Sequence, residues 1–584
     1  MTAEPGAVVD EYDVIVVGSG AGGMTAALAA AHRGLSVLIV EKAAHFGGST
    51  ARSGGGVWIP CNEALTSTGI RDTREDARRY LHAIVGTGPD ASGNQVPPER
   101  IDTYIDRGPE VVSFVHRTTP LRLRWVPGYS DYYPEAPGGR AQGRSVEPRP
   151  FDGRRLGPEL RNLEPDYTKA PMNLVVTQAD YKWLNLLARD IRGPLRALRV
   201  GGRLIRGKVR RQHLLGRGQA LAAGLRAGLL EVGVPVRLET PLRSLVTDGA
   251  RVTGVTIGAP DGDRTIAARR GVLLAAGGFE HSADMRQRYQ REPIGTEWTN
   301  GVPANTGDAI RAGMAVGGDV AFMGDAWWGP AIPLPGGPWF CLAERSLPGS
   351  IMVNARGRRF VNESAPYVEA THAMYGGEFG QGDGPGENVP AWLVFDQRYR
   401  NRYMFAGLGP RQALPGRWFK HGSLVRGATL AELAGRMGVP AGALAGTVER
   451  FNGFAHTGRD DDFGRGESAY DHYYGDPHNR PNPSLGALET GPFYAAKMVP
   501  GDLGTKGGLI TDTAGRVLRA DGTVIAGLYA AGNTSAPVMG HTYAGPGATI
   551  GPAMVFAYLA VEDMAQSDEG VAGAAPAAAT DGLA

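Results

Sequence analysis

The residues with the clearest chemical potential are small ones. Gly18-Ser19-Gly20-Ala21-Gly22-Gly23 carries the G-x-G-x-x-G spacing of a dinucleotide-binding turn. Gly18 permits the tight turn, Gly20 lets main chain approach a pyrophosphate, and Gly23 lets a helix pack closely on a strand. The helix that follows offers free N–H groups and its positive dipole end to that phosphate. Glu41-Lys42 ends a second strand, where an acid holds a ribose hydroxyl. A second glycine-rich stretch follows, Gly47-Gly48-Ser49-Thr50-Ala51-Arg52-Ser53-Gly54-Gly55-Gly56. No regular element tolerates so many glycines, so it reads as a loop wrapping a flat ligand, with Ser49, Thr50 and Ser53 as hydroxyl donors. A nicotinamide dehydrogenase usually lacks this second wrap and a flavoprotein has it, which moves the cofactor from NAD to FAD. Metal chemistry has no basis here. Cys61 and Cys341 are the only cysteines and the histidines are scattered.

The elements that position these residues alternate in type. Asp13–Val17 and Leu35–Val40 read as strands around an Ala-rich helix, Met24–Arg33. Residues 68–117 read as helical, and 125–134 as an aromatic loop that either packs or acts. Segments 236–238, 242–247 and 252–257 suggest a small antiparallel meander. The buried strand at Val272 then ends in Ala276-Gly277-Gly278 at the first sheet. The chain returns there once more, through Leu528, Gly532-Asn533 and the loop Gly540–Gly551 with Thr549 and Ile550, before a last helix. The fold class is therefore α/β, a Rossmann-like FAD-binding domain split in sequence, with an α+β substrate-capping domain. Residues 1–285 and 489–566 are expected to form the first and 286–488, rich in Trp, the second, with 567–584 a disordered tail. Gly380–Gly386 follows no strand and contains Pro385, so it reads as a mobile loop and not as a second nucleotide site.

Residues 183–217 are basic and amphipathic, with acid only at Asp190 and breaks expected at Gly193-Pro194 and Gly201-Gly202. They read as one or two short surface helices. These either meet an anionic membrane surface or pack their apolar side on the domain. The 584 residues carry a net charge of +2, which points to no nucleic-acid partner. No signal peptide or membrane-spanning run is evident, and the cysteine usage fits a reducing cytoplasm, with the inner face of the membrane as the site of any peripheral association.

Together with these glycine motifs, Ser130-Asp131-Tyr132-Tyr133-Pro134, Asp325-Ala326-Trp327-Trp328, Phe360–Tyr367, Asp502–Gly508 and Tyr543-Ala544-Gly545-Pro546-Gly547 resemble a flavoprotein superfamily. It includes soluble fumarate reductases and 3-ketosteroid dehydrogenases, and the tyrosine-bearing motifs resemble the 3-ketosteroid Δ1-dehydrogenases. The resemblance implies oxidation of a 3-ketosteroid A ring to the 1(2)-ene, with FAD bound non-covalently and an external, quinone-like electron acceptor. Tyr543 and the Gly547 N–H would hold the C3 carbonyl, Tyr367 would take the C2 proton, and Tyr132 would assist. A phenol needs its pKa lowered to act as a base at neutral pH. His541 is expected to orient its loop, and Ala544, where the family usually has Pro, to loosen the turn. The runner-up readings are a Δ4-(5α)-dehydrogenase, a fumarate- or urocanate-type reductase, and a membrane-associated flavin binder without turnover.

Overall fold

The computed structural model describes residues 8–86, 88–166 and 174–566. The tail expected after Gln566 lies outside them. The first sheet has a parallel core in which Val8–Val17 is central. Val37–Val40 and then Val236–Arg237 pair on one side, and Gly262–Leu274 and Val524–Ala530 on the other. Strands buried on both faces need continuous apolar runs, and Val14–Val17 and Val37–Val40 supply them. The strand at 236 was expected in the antiparallel meander. It instead closes the parallel edge, because its short run follows the helix Arg217–Glu231, a crossover that returns the chain parallel. The meander itself is Leu242–Asp248, Arg251–Ala259 and the start of Gly262–Leu274.

A second, antiparallel sheet is built on Phe493–Thr505, flanked by Ala326–Leu334 and Ala391–Asp396. Gly337–Phe340, Ser350–Val353 and Leu424–Gly427 complete it. Phe493–Thr505 starts on the flavin side of the expected boundary at 489, yet its ladder partners all lie in the capping sheet. Its carboxyl end reaches the first sheet, where Thr505 Oγ1 accepts from Phe279 N at 2.9 Å. The strand thereby ties the two sheets together.

Three further expectations are corrected. Residues 192–209 form one helix through both expected breaks. Pro194 lies in its first turn, where no backbone donor is needed, and a glycine pair weakens a helix without ending it. The basic stretch is also not opposed by Asp190 alone. Asp180 pairs with Arg203 at 3.0 Å and Arg196 at 3.3 Å, and Asp476 pairs with Arg189 at 2.7 Å. Finally, the loop around 380–386 is cinched, because the Arg291 guanidinium collects the carbonyls of Gly376, Gly380, Gln381 and Gly384 within 3.3 Å.

The glycine turn is crowded by main chain. A Cβ at Gly23 would stand 2.0 Å from the Gly18 carbonyl oxygen, and one at Gly18 2.3 Å from that of Ala275. Gly23→Ala therefore has to push strand and helix apart, an overpacking cost of about 1–3 kcal/mol. We expect a lower melting temperature and a reduced FAD-to-protein absorbance ratio. A normal ratio with an unchanged melt would refute this account of the turn.

Candidate active site

Many of the expected cofactor residues are tied together around the glycine turn. The helix Ala21–Ala31 begins at Gly20, and its first internal donor is Met24 N, to Gly20 O at 2.9 Å. Gly22 and Gly23 N–H lie ahead of that first bond, at the positive end of the dipole. Ala21 N instead donates to Thr50 Oγ1 at 3.0 Å, which fastens the second wrap to the first. Ser19 N and Oγ both donate to Glu41, at 2.9 and 2.7 Å, and Ser19 Oγ accepts from Gly47 N. Space in front of Gly48 is open, and in front of Gly20 only Thr50 Oγ1 is near, at 3.6 Å. Gly54 O accepts from Gln178, Gly55 abuts the Arg217 backbone, and Gly56 abuts Pro546 O. Gly18 touches Ala275-Ala276, Gly22 approaches Ala553 O, and Gly532 faces the Ala553 methyl. Gly277 O accepts from Thr534, Asn533 accepts from Trp327, and Ile550 opens the last helix beside Thr549. A dinucleotide with a flat ring fits these residues. The helix amino end at Gly20 offers free N–H groups, Gly48 leaves open space, and Asn533 and Thr549 add amide and hydroxyl groups.

Three residues are engaged elsewhere. Lys42 Nζ bonds Asp308 at 2.7 Å and Thr306 at 2.6 Å, so it links the domains. Ser53 Oγ serves its own loop, between Thr50 O and Gly55 N. Ser49 Oγ accepts from Asn305 at 3.1 Å and Val302 N at 3.3 Å, facing the capping side.

The three tyrosines, from distant segments, meet as a triangle. Ring centroids are 5.4 Å apart for Tyr132 and Tyr367, 5.2 Å for Tyr132 and Tyr543, and 5.5 Å for Tyr367 and Tyr543. Trp327, Phe340 and Tyr470 wall the group. Gly547 adopts a positive φ of 100°, and a Cβ there would strike Gly56 at 2.3 Å, so its peptide is fixed by main-chain contact. Trp58 N donates to Gly547 O at 3.1 Å. The Ala544 turn is not loose, because its carbonyl accepts from both Tyr132 N and Tyr80 Oη, at 3.1 and 2.6 Å. Asp131 precedes Tyr132 and is anchored by Trp58 Nε1 at 2.8 Å and by Arg144.

Electrostatics in this cage run against ready ionisation. Burial pushes the phenols of Tyr132 and Tyr367 well up, with neighbouring tyrosines adding to it, while a hydrogen bond with Tyr132 opposes the rise at Tyr367. Burial also raises Tyr543, opposed by hydrogen bonds with Thr549 and Tyr367. The lowered phenol expected from sequence is therefore absent from the surroundings the protein itself supplies.

Sequence reasoning missed the array behind the tyrosines. Asp325 is fully buried and accepts from Lys506 Nζ at 2.9 Å, His541 Nδ1 at 2.9 Å and His372 Nε2 at 3.1 Å. Burial alone would raise its carboxyl, but Lys506 and His372 hold it well below the ordinary value. Lys506 Nζ also bonds the His541 carbonyl at 2.6 Å, and His541 Nε2 meets Asp90 at 2.6 Å. This fixes the segment just before Tyr543, the orienting role expected of His541. The one sequence signal was a lone Lys inside the otherwise uncharged run Leu503–Ile510. Tyr470, Tyr473 and Tyr474 were likewise unremarked. Tyr473 stacks on Tyr129 at 4.2 Å, and Tyr474 Oη donates to Tyr129 Oη at 2.8 Å.

Comparison with known proteins agrees with this architecture. The FAD binding domain family model matches residues 13–550. A 3-oxosteroid 1-dehydrogenase of Mycolicibacterium smegmatis is 62% identical over 95% of this chain and 97% of its own length. One from Mycobacterium tuberculosis is 61% identical over 94% of this chain and 98% of its own. The crystal structure of 3-ketosteroid Δ1-dehydrogenase from Sterolibacterium denitrificans, in complex with 1,4-androstadiene-3,17-dione, superposes with a TM-score of 0.88. It is 40% identical, covering 96% of this chain and all of that one. The chain belongs to the FAD-dependent 3-ketosteroid Δ1-dehydrogenases.

Proposed function

We propose that this chain converts 3-oxo-Δ4-steroids to 3-oxo-Δ1,4-steroids, with Tyr543, Gly547, Tyr367 and Tyr132 as the reacting-site groups. The observation that carries the reading is the triangle of tyrosine rings walled by Trp327, Phe340 and Tyr470, a site for a flat, neutral, apolar ring. Carboxylate substrates would call for free arginines there. The nearby Arg345 is occupied by the carbonyls of Cys341, Glu363 and Ala365.

Tyr543 Oη and the Gly547 N–H donate to the C3 carbonyl and stabilise the negative charge that develops on its oxygen. That polarisation acidifies the C2 hydrogen, which Tyr367 removes as a proton while Tyr132 hydrogen-bonds the base. The C1 hydrogen leaves with its electron pair, and the C1=C2 bond forms from the pair freed at C2. Bound FAD supplies the hydride acceptor, N5. Non-covalent attachment accords with His45, which stands outside the second wrap and faces Glu164 at 3.9 Å.

We also assign the helix Arg192–Val209 to an anionic lipid surface. Ile191, Leu195, Leu198, Ile205 and Val209 recur at 4, 3, 7 and 4 residues along one face and are between 56% and 77% exposed. The helix docks on the protein through small residues, Gly193, Val200 and Gly207. Among the described residues Arg199, Arg206 and Lys208 on this helix, and Arg210 and Arg211 just beyond its end, form no ion pair. Exposed apolar surface between unpaired cations suits headgroups and acyl chains together. A lipid-soluble, quinone-like acceptor fits the same placement. No helix among the described residues is long and apolar enough to cross a membrane.

Anaerobic mixing with androst-4-ene-3,17-dione should bleach the flavin and yield the 1,4-diene, since the 4-ene is already present. Oxidised flavin with that steroid, alongside reoxidation of the reduced enzyme by a dicarboxylate, would defeat the proposal. Tyr543→Phe should keep its FAD and lose on the order of 100- to 1,000-fold in kcat. Near-normal turnover would remove Tyr543 from the chemistry.

The pH dependence has a definite sign. The base is deprotonated Tyr367, and its phenol is raised above the ordinary value. kcat/KM should therefore climb through the alkaline range, and Tyr367→Phe should abolish that limb. A rate that is flat or falling over the same range would argue for another base.

Neutralising Arg199, Arg206 and Arg210 should release the protein from vesicles containing anionic lipid. Unchanged co-sedimentation would exclude the lipid assignment for this face.

A further inference from the structure

Arg100 lies in the first turn of the helix Pro98–Thr118 and is buried. Its guanidinium carbon stands 4.7 Å from the centre of the Phe556 ring. Among the described residues it makes a single hydrogen bond, from Nη1 to Ala536 O at 3.2 Å, and its Nε has no partner. No carboxylate pairs with it there. Glu99 and Asp512 act on it only from a distance, and Asp512 is bonded to Arg516 at 2.6 Å. Burial pushes its pKa down to about 10, so it remains a cation at neutral pH.

Other buried arginines differ. Arg144, Arg286 and Arg465 each meet carboxylates. Arg345 and Arg400 lack them but each donates to three carbonyls. A buried charge with one hydrogen bond is costly unless something else compensates it.

The cavity that Arg100 lines shows what does. Its other walls include Trp327, Lys506, Asn533, Thr549 and Ala553. Asn533 and Thr549 belong to the cofactor set. Trp327 meets Tyr543 edge-on at 5.1 Å, so the cavity borders the tyrosine cluster. Ala553 also abuts Gly22, where a Cβ would stand 2.9 Å from the Ala553 carbonyl oxygen, so the cavity runs from the glycine turn to the tyrosine cluster. A hydride can pass only if the redox ring lies at the tyrosine end. The charge that appears there is the one the ring gains on accepting H⁻, since a neutral ring plus hydride carries one negative charge. The amino end of the helix Ile550–Gln566 contributes its dipole to the same region.

We propose that Arg100 is the counter-charge for the reduced flavin, favouring reduction by the substrate without touching the steroid. The inference rests on FAD binding and is independent of which substrate is oxidised.

The test measures the reduction potential of the bound flavin against a reference dye, in holoenzyme of Arg100→Met, Arg100→Gln and Arg100→Lys. The neutral variants should bind FAD and shift the equilibrium with the dye about tenfold towards oxidised flavin, equal to about 30 mV for a two-electron couple. Arg100→Lys should restore most of the shift. An unchanged potential in either flavin-loaded neutral variant overturns the proposal, as does a lysine variant that behaves like methionine. Failure of both neutral variants to hold FAD overturns it too, because Arg100 would then secure the cofactor in general and not its reduced charge.

Discussion

One buried carboxylate sets the geometry of the tyrosine-bearing segments. Asp325 draws Lys506, His541 and His372 to a single point. Each partner is a short covalent distance from a site residue. Asp325 is two residues before Trp327, His541 is two before Tyr543, and His372 lies on the helix Tyr367–Tyr375 that begins with the proposed base. Lys506 directly follows the strand that joins both sheets. A charge in this setting cannot drift, because leaving one member unpaired in a dry interior costs about 3–5 kcal/mol. The array therefore holds the tyrosine-bearing segments in one arrangement.

That arrangement carries a chemical tension. The walls that suit a flat apolar ring are aromatic and dry, and the same dryness raises every phenol in the cluster. A resting phenolate at Tyr367 would be costly here. With Tyr367 as the proposed base, only its deprotonated fraction can take the C2 proton, and burial keeps that fraction small at neutral pH and lets it grow as pH rises. In the proposed mechanism Tyr543 and Gly547 stabilise the charge on the carbonyl oxygen while Tyr132 supports the base. Stabilising charge only as it develops is what a preorganised, water-poor site does well.

The cofactor cleft was legible because its constraint is written in residue identity. Gly18, Gly23 and Gly547 stand where a Cβ would overlap main chain. Glu41 follows from its place at a strand end. The tyrosines were legible only by resemblance, since three phenols from positions 132, 367 and 543 share no local pattern. Asp325, Lys506 and Arg100 were hidden for the same reason, as their partners are remote in sequence. Lys42 misled by adjacency. It follows Glu41, but the strand has ended, and its side chain turns to Asp308. The loop at 380–386 looked free because the arginine that gathers it sits about ninety residues earlier.

The basic insertion reads differently once its inner side is considered. Arg189 pairs with Asp476, and Asp190 with His478, at 2.7 and 3.0 Å. The segment that holds Asp476 and His478 also carries Tyr470, Tyr473 and Tyr474. Lys182 lies 4.3 Å from the centre of the Tyr473 ring, and Tyr181 meets Tyr474 edge-on at 6.2 Å. Tyr474 bonds Tyr129, whose ring is 6.5 Å from that of Tyr132. The outward apolar stripe and the reacting tyrosines are thus opposite ends of one packed aromatic and ionic wall. On the proposed lipid assignment, a substrate with little solubility in water gains from such proximity, since the path from an apolar phase to the site then need not cross open solvent.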